Sequence, residues 1–465
     1  MSFATVLQYF REITTIPRPS GHEEAMRKRL TERADSHKFS YRTDAVGNVV
    51  IYVPATSGNE HSPTIILQAH MDMVCVQAQN STHNFFTDPL VLQENEGRLS
   101  AADTTLGADN WIGIAIILAV ANTAAHPALE LFFTIDEERG LVGALEFDPA
   151  LLSGTYLINL DTEDEGDICI SCAGGARLTA TTPTVATATT LPAYEIVFTG
   201  FPGGHSGVDI DKKRGNALLA MMECLTTSPA IEALCSLSGW QADNAIPGSC
   251  RAVITTANSN LVEQHIQDYL LTYKKTSIVP DATYSLQKTE YHANGIEHRK
   301  ERCTNILSLP QGVQGMSTQI PDLVQTSLNL GICTMDTTHI SATYSLRSSV
   351  FEELLHLSEF VQREFVSRGY TADIYSVYPW RQDSPNGILV QKTKEIYERS
   401  TQKPVHVVAY HAGLECGAIV AKLPQRPQAV SLWPTIVWAH SPQERVYLPS
   451  VEIVYQIVCV VINVL

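Results

Sequence analysis

A histidine and an aspartate close a strand-like apolar run near the start of the chain. Residues 65–76 read IILQAHMDMVCV, in which His70 and Asp72 are two positions apart. On a strand, side chains two residues apart face the same side, so both groups can reach one point. Imidazole suits zinc, cobalt or manganese, and a carboxylate beside a ligating histidine can fix its tautomer. The pair indicates a divalent metal site, although a buried histidine satisfied by an acid would look the same.

Further acids follow the next apolar runs. LGADN places Asp109 at a predicted helix start, TIDEERG places Glu137 and Glu138 after a strand, and Asp161 follows the strand in TYLINLD. In α/β proteins, ligands bind beyond the carboxyl ends of parallel strands, so these acids are expected to converge with His70. Adjacent residues on a regular strand face opposite ways, so spacing alone leaves open which of the two glutamates is a ligand.

The composition restricts the class of protein. The 465 residues are 44% apolar and 17% charged, and 49 acids against 32 bases give a net charge of -17. This balance argues against nucleic acid or an anionic membrane as a partner. The amino terminus lacks the features of a secretory signal, and the apolar run at 451–465 is too short to span a bilayer. The ten cysteines are scattered, which favours reduced thiols and the cytoplasm.

The order of predicted elements indicates two domains. Strands alternate with helices up to a Thr- and Ala-rich stretch at 178–191, and amphipathic helices then alternate with strands up to about residue 378. We expect an α/β fold, with a mainly parallel sheet flanked by helices and an inserted α+β lid domain. The predicted boundaries are 1–185 and 384–465 for the two parts of the catalytic domain, and 186–383 for the lid.

Seven motifs, in order along almost the whole chain, resemble those of the bacterial aminoacyl-histidine dipeptidases, or peptidase D. This family belongs to the dizinc exopeptidases, which include carnosinases and aminoacylases. The motifs are HMD at His70, LGADN at Leu106, TIDEERG at Thr134, NLDTEDEG at Asn159, GGHSG at Gly203, HAGLECG at His411 and AHSPQE at Ala439.

The resemblance implies two divalent ions per subunit, Zn²⁺ by preference, with Co²⁺ or Mn²⁺ as alternatives. It implies that one ion is bound by His70 and Asp161, the other by Glu138 and His440, and both by Asp109. The two divalent ions carry four positive charges and the three carboxylates supply three negative ones. One positive charge remains, so a bridging hydroxide would make the cluster neutral.

The same resemblance implies roles for residues around the ions. Asp72 would orient the first histidine, and Glu137 would be the general base for a bridging metal-bound water. A carboxylate so placed can pass the proton on to the leaving amine. The family is often dimeric, so a homodimer is expected.

Four residues are similar to substrate-binding positions of the family. His205 in GGHSG would reach the substrate carbonyl oxygen as an oxyanion donor, or would be an ordinary loop histidine. Arg347 suits a dipeptide's free carboxylate, because its guanidinium can bind both oxygens. Asn244 would assist in clamping the substrate, and Glu415 would hold a free α-amino group.

The predicted function is therefore metal-dependent hydrolysis of dipeptides, including Xaa-His dipeptides. Two other hypotheses stay open from the sequence. The same dimetal core would serve an amidohydrolase acting on N-acyl amino acids. A non-catalytic binding protein could keep the fold, but it would be expected to have lost a ligand or the base.

Overall fold

The structure is a computed structural model that describes residues 3–161, 165–239, 242–290, 294–318, 320 and 322–465. These residues fall into two compact units. The first contains the chain up to Cys172, Arg381–Ala409 and Leu414–Leu465, and the second contains Ala173–Trp380 and Tyr410–Gly413. The sequence placed the corresponding boundaries at 185/186 and 383/384.

Helices and strands alternate along much of the described chain. Its α-helices are α1 (Phe3–Ile13), α2 (Glu24–His37), α3 (Ala108–Val120), α4 (Val142–Glu146), α5 (Ala217–Thr227), α6 (Ser259–Tyr273), α7 (Arg299–Leu307), α8 (Phe351–Ser367), α9 (Ile388–Thr401), α10 (Glu415–Lys422) and α11 (Leu448–Val461). Its strands are β1 (Ser40–Thr43), β2 (Val49–Val53), β3 (Ile65–His70), β4 (Leu92–Asn95), β5 (Arg98–Ala101), β6 (Leu129–Thr134), β7 (Tyr156–Asn159), β8 (Asp167–Cys172), β9 (Gly174–Pro183), β10 (Ala186–Thr187), β11 (Ala193–Thr199), β12 (Gly204–His205), β13 (Ala233–Gly239), β14 (Ala245–Ile246), β15 (Cys250–Thr255), β16 (Thr283–Thr289), β17 (Gly295–Ile296), β18 (Gly312–Met316), β19 (Val324–Met335), β20 (His339–Ser348), β21 (Thr371–Tyr378), β22 (Arg381–Gln382), β23 (His406–Tyr410), β24 (Gln428–Ser431), β25 (Ile436–Val437) and β26 (Arg445–Tyr447).

The first unit is built on a mixed sheet. Its strand order is β1-β2-β6-β3-β7-β24-β8-β22, with β23 also paired to β8. The central neighbours β6, β3, β7 and β24 are parallel, whereas β1, β2, β8 and β22 add antiparallel pairs at the two sides. The predicted α/β fold is confirmed, and the parallel strands form the centre of the sheet.

Buried apolar residues explain why these strands lie at the centre. Every residue of β3, β6 and β7 is buried, as expected for parallel strands that are covered on both faces. In α3, all residues except Asp109 are buried, and the helix packs in the same core as α1 and α11. The apolar surface around the whole helix accounts for its burial.

The second unit has its own sheet and core. Its strand order is β16-β11-β15-β13-β19-β20-β9-β21, with β18 paired to β19, and each of these pairs is antiparallel. Helices α5, α6, α7 and α8 contribute to its apolar core. The Thr- and Ala-rich stretch is partly strand β9, which pairs with β20 along its whole length. Because of this pairing, the second unit starts at Ala173, before the predicted boundary at 185/186.

Two further findings concern the environment of the protein. In the described part of the chain, no helix is long and apolar enough to cross a membrane. All ten cysteines lie in this part, and none of them forms a disulfide bond there.

Candidate metal centre

The carboxyl ends of three parallel strands meet at one edge of the first unit's sheet. His70 is the last residue of β3 and is in register with Thr134, the last residue of β6. On the other side of β3, Gln68 is in register with Asn159, the last residue of β7. The chain segments that leave β6 and β7 carry the acids that the sequence singled out. Parallel pairing thus brings together residues that are far apart in sequence.

Asp109 lies between the two histidines of the cluster. Its Oδ1 is 3.0 Å from Nε2 of His70, and its Oδ2 is 3.1 Å from Nε2 of His440. Asp109 is the second residue of α3 but has non-helical backbone angles, so its side chain departs from the helix at the sheet edge. One carboxylate therefore faces two imidazoles, each through a different oxygen.

Two overlapping sets of side chains could each hold a cation. One consists of His70, Asp109 and Asp161, and the other of Asp109, Glu138 and His440, with ligand atoms within 4.8 Å of one another in each set. Oε1 of Glu138 is 3.1 Å from Nε2 of His440. The sets share only Asp109, which matches the ligand sets implied by the resemblance.

Asp72 is wholly buried behind His70. Its Oδ1 lies 3.2 Å from Nδ1 of His70 and accepts a hydrogen bond from the backbone N–H of Glu137, while its Oδ2 accepts one from the N–H of Glu138. Burial alone would raise the pKa of Asp72, but the bonds to His70 and other donors lower it. The ionised Asp72 therefore fixes the imidazole and also the turn that carries both glutamates.

The two adjacent glutamates both reach the cluster. Glu138 belongs to the set with Asp109 and His440, and a further group joins His70 with Glu137 and Glu138. They lie in the turn after β6, where strand alternation does not apply, because the preceding Asp136 has a φ of 54°. Burial and the neighbouring Glu138 raise the pKa of Glu137 well above its ordinary value.

The crowding of acids is the observation that tests whether cations fit. Burial raises the pKa of Asp161 far above its ordinary value, and burial together with Asp109 raises that of Glu138. Hydrogen bonds to Asp109 and Asp72 outweigh burial and raise the pKa of His70. Buried like charges at this spacing need positive charge between them, and a His and carboxylate donor set is one that divalent zinc, cobalt or manganese accepts. The residues therefore fit two cations.

Glu415, at the start of α10, lies behind the strand ends and is 0% exposed. Its Oε2 accepts hydrogen bonds from Nε2 of Gln68 at 2.5 Å and from Oγ1 of Thr134 at 2.8 Å. Its Oε1 has no hydrogen-bond partner among the described residues. Burial is the largest influence and raises the pKa of Glu415 to about 7. Gln68 and Thr134 had no predicted role, because a neutral polar residue inside a strand does not by itself indicate a binding site.

His205 and Arg347 lie together in the second unit. Nδ1 of His205 accepts hydrogen bonds from the backbone N–H groups of Gly207 and Val208, so the neutral ring carries its proton on Nε2. That Nε2 is 3.3 Å from Nη2 of Arg347. Burial and the Arg347 cation lower the pKa of His205 to about 3, which keeps the ring neutral.

Residues around this pair fix it in place. Nη1 of the buried Arg347 donates to the hydroxyl of Tyr378 at 2.9 Å. Asn244 has an exposed side chain, and its carbonyl accepts the N–H of Ser206, next to His205. Tyr378 had no predicted role, because it ends strand β21 and lies outside the seven motifs. His411, left outside the metal ligands, is in this second unit.

Comparisons with known proteins establish the family. The sequence signature of peptidase family M20/M25/M40 matches residues 66–463. The chain belongs to this family. It is 31% identical over 454 residues to the cytosol non-specific dipeptidase of Escherichia coli (strain K12), with 95% of this chain and 93% of that protein covered.

Solved structures of the M20 family agree with the fold. The aminoacylhistidine dipeptidase of Vibrio alginolyticus is 29% identical, with a TM-score of 0.80, over 99% of this chain and 96% of that one. Human carnosine dipeptidase 1 matches over 99% and 96% with a TM-score of 0.54, and at 11% identity this shows the fold alone. The resemblance inferred from the seven motifs is confirmed, and so is the prediction of an enzyme of a peptidase family.

Proposed function

We propose that this chain hydrolyses dipeptides, including Xaa-His dipeptides, with the help of two divalent metal ions, preferentially Zn²⁺. The observation that carries the proposal is Asp109, whose two oxygens face His70 and His440 separately. This is the arrangement expected of a carboxylate shared by two cations. The names of the relatives support the substrate class, since one is a dipeptidase of broad specificity and another acts on aminoacylhistidine.

The residues would divide the work as follows. His70, Asp109 and Asp161 would hold one ion, and Asp109, Glu138 and His440 the other. When bound, such a pair lowers the pKa of water to about 7 and polarises the substrate carbonyl. Each histidine would bind its ion through Nε2. In His70, the hydrogen bond to Asp72 places the ring proton on Nδ1, which leaves Nε2 without a proton and able to bind a metal ion.

Glu137 would move the proton. Burial and the neighbouring Glu138 raise the pKa of Glu137, which makes its ionised carboxylate a stronger base, so it could accept a proton from water and pass it to the leaving amine. Its backbone is held by Asp72, which limits the positions that its carboxyl group can occupy.

His205 would donate to the substrate carbonyl oxygen as that oxygen gains negative charge, and Arg347 would bind the free carboxylate of the dipeptide. Nε2 of His205 lies 3.3 Å from Nη2 of Arg347, so the two groups are close enough to bind neighbouring oxygens of one substrate. Because His205 stays neutral, it donates from Nε2 throughout the physiological pH range. We propose that the second unit is the substrate-binding lid, with Asn244 as a further contact, and that Oε1 of Glu415 accepts from the substrate α-amino group.

Arg347→Met is expected to raise KM for a dipeptide about 10- to 100-fold, because a charge-assisted hydrogen bond contributes about 1.5–3 kcal/mol. The difference in KM between the wild type and Arg347→Met should disappear when the substrate carboxylate is replaced by an amide. We expect the amidated dipeptide to be a poor substrate for the wild type and for the variant. A matched control is Arg299→Met, which removes a buried guanidinium that donates to the carbonyls of Leu225 and Ile231. It should lower thermal stability without changing KM. Equal losses on free and amidated dipeptides in Arg347→Met would contradict the assignment.

The proposed function itself is tested by hydrolysis of an Xaa-His dipeptide and of its N-acetylated form. Both are assayed before chelation, after chelation and after return of Zn²⁺, Co²⁺ or Mn²⁺. We expect cleavage of the free dipeptide, loss after chelation and recovery with metal. Cleavage of the acetylated form instead would assign the chain to the N-acyl amino acid amidohydrolases. If neither the free nor the acetylated dipeptide were cleaved, the result would favour the hypothesis of a non-catalytic binding protein.

We also propose a cytoplasmic homodimer. The name of the Escherichia coli relative and the absence of disulfide bonds among the described cysteines support the compartment. The dimer rests on the family resemblance, and sedimentation equilibrium of the purified chain would test it.

A further inference from the structure

Glu444 accepts hydrogen bonds from four consecutive backbone amides of another segment. Its Oε2 accepts from the N–H of Leu106 at 2.9 Å and of Gly107 at 3.1 Å. Its Oε1 accepts from the N–H of Ala108 at 2.8 Å and of Asp109 at 3.4 Å. The side chain is only 2% exposed, so water cannot replace these bonds.

Two of these amides, Ala108 and Asp109, are the first residues of α3, and the other two immediately precede the helix. The first turn of a helix has N–H groups with no carbonyl acceptor inside the helix, and its positive dipole end favours an anion. The preceding Gly107 has a φ of 65°, a conformation that turns its N–H toward the same carboxylate. A residue more than 330 positions away therefore caps this helix.

The cap joins the two segments that carry ligands of the same proposed ion. Glu444 and His440 lie in the loop that connects β25 to β26, and β26 is paired with β5. The N–H of Glu444 donates to the carbonyl of Ser441, which closes the loop into a turn. Across the junction, Nε2 of His440 is 3.1 Å from Oδ2 of Asp109.

We infer that Glu444 is a positioning residue, which holds Asp109 at the correct distance from His440 for both to bind one cation. This inference rests on the proposed function, because it requires that Asp109 and His440 are metal ligands. Within the described residues, the side-chain hydrogen bonds of Glu444 all come from backbone amides, so it would not touch the substrate. Replacing Glu444 should therefore lower the affinity for metal, since mutation of a partner that orients a metal ligand lowers that affinity about 10- to 100-fold.

The variant Glu444→Gln keeps the shape of the side chain but replaces one acceptor oxygen with an amino group that faces N–H donors. A matched control exists in the same unit. Glu130, on β6 and also buried, accepts hydrogen bonds from the N–H groups of Ser153 and Gly154 and from Oγ of Ser153. Glu130→Gln thus disturbs a similar loop anchor that includes none of the proposed ligands.

The experiment measures dissociation constants for Zn²⁺ by competition with a chromophoric chelator, and records the visible spectrum of the Co²⁺-loaded protein. Thermal melting of each metal-free protein measures general damage. We expect Glu444→Gln to bind one of the two ions, the one proposed for Asp109 and His440, about 10- to 100-fold less tightly, with a changed Co²⁺ spectrum. Glu130→Gln should lose thermal stability but keep wild-type metal affinity and spectrum.

Wild-type metal affinity and spectrum in folded Glu444→Gln would overturn the inference, and so would equal losses of affinity in both variants. If Glu444→Gln does not fold, Glu444→Asp is measured instead. It keeps the charge but is too short to reach all four amides, and it should show a smaller loss in the same direction. Failure of the proposed function is distinguishable, because the wild-type chain itself would then bind no Zn²⁺.

Discussion

Replacing Glu137 with Gln is expected to lower kcat about 100- to 10,000-fold, the contribution of a positioned general acid–base group. The amide cannot accept a proton from water, yet it has nearly the same size and can still fill the position beside Glu138. Bound metal, thermal stability and KM should therefore change little. Steady-state kinetics and metal analysis by mass spectrometry measure these quantities on the same preparation.

Glu146→Gln provides the control for the change of a glutamate to an amide near this turn. Glu146 is exposed at the end of α4 and belongs to none of the candidate metal sets. Its variant should match the wild type in every measurement. If Glu137→Gln kept near-normal turnover, or lost its metal together with its activity, Glu137 would not be the general base.

Asp109→Asn should abolish binding of at least one ion and reduce kcat/KM by more than about 100-fold, since even loss of a partner that only orients a ligand costs about 10- to 100-fold. Asparagine has one acceptor oxygen in place of two, so one of the two histidines would face an amino group. Metal titration should show both apparent affinities weakened, because both candidate sets contain Asp109.

Asp161→Asn is the informative contrast, because Asp161 belongs only to the set with His70 and Asp109. It should weaken one ion while the other retains close to wild-type affinity. If Asp109→Asn and Asp161→Asn weakened the same single ion to the same extent, Asp109 would not be shared between two cations.

The local part of the site could be predicted from sequence because it follows from strand geometry. His70, Asp161 and the two glutamates each follow a buried apolar run, and parallel strands bring such ends to one edge. The antiparallel pairs that β8 and β22 add at one side of the sheet were not predicted, because strand direction depends on how the chain returns to the sheet. Hydrophobic patterns carry no information about that return.

Long-range relations were harder to predict. His440 was placed in the site by family resemblance, since more than 300 residues separate it from Asp109. Glu444 was within a quoted motif but received no role, because a carboxylate that binds backbone amides leaves no signal in the residue types of its partners. The predicted lid starts at 186, whereas the second compact unit starts at Ala173, because a Thr- and Ala-rich strand has a composition similar to that of a linker.

Strand β24 makes the order of synthesis important for this fold. It pairs with both β7 and β8 in the first unit's sheet, although it comes more than 250 residues after β8 in the chain. Until a ribosome has released residues beyond 431, the apolar edge of β7 has no partner on that side. Unpaired edges of this kind attract strands from other chains. A chain that stalls or is truncated before β24 is therefore expected to aggregate, even though most of the metal ligands have already been made.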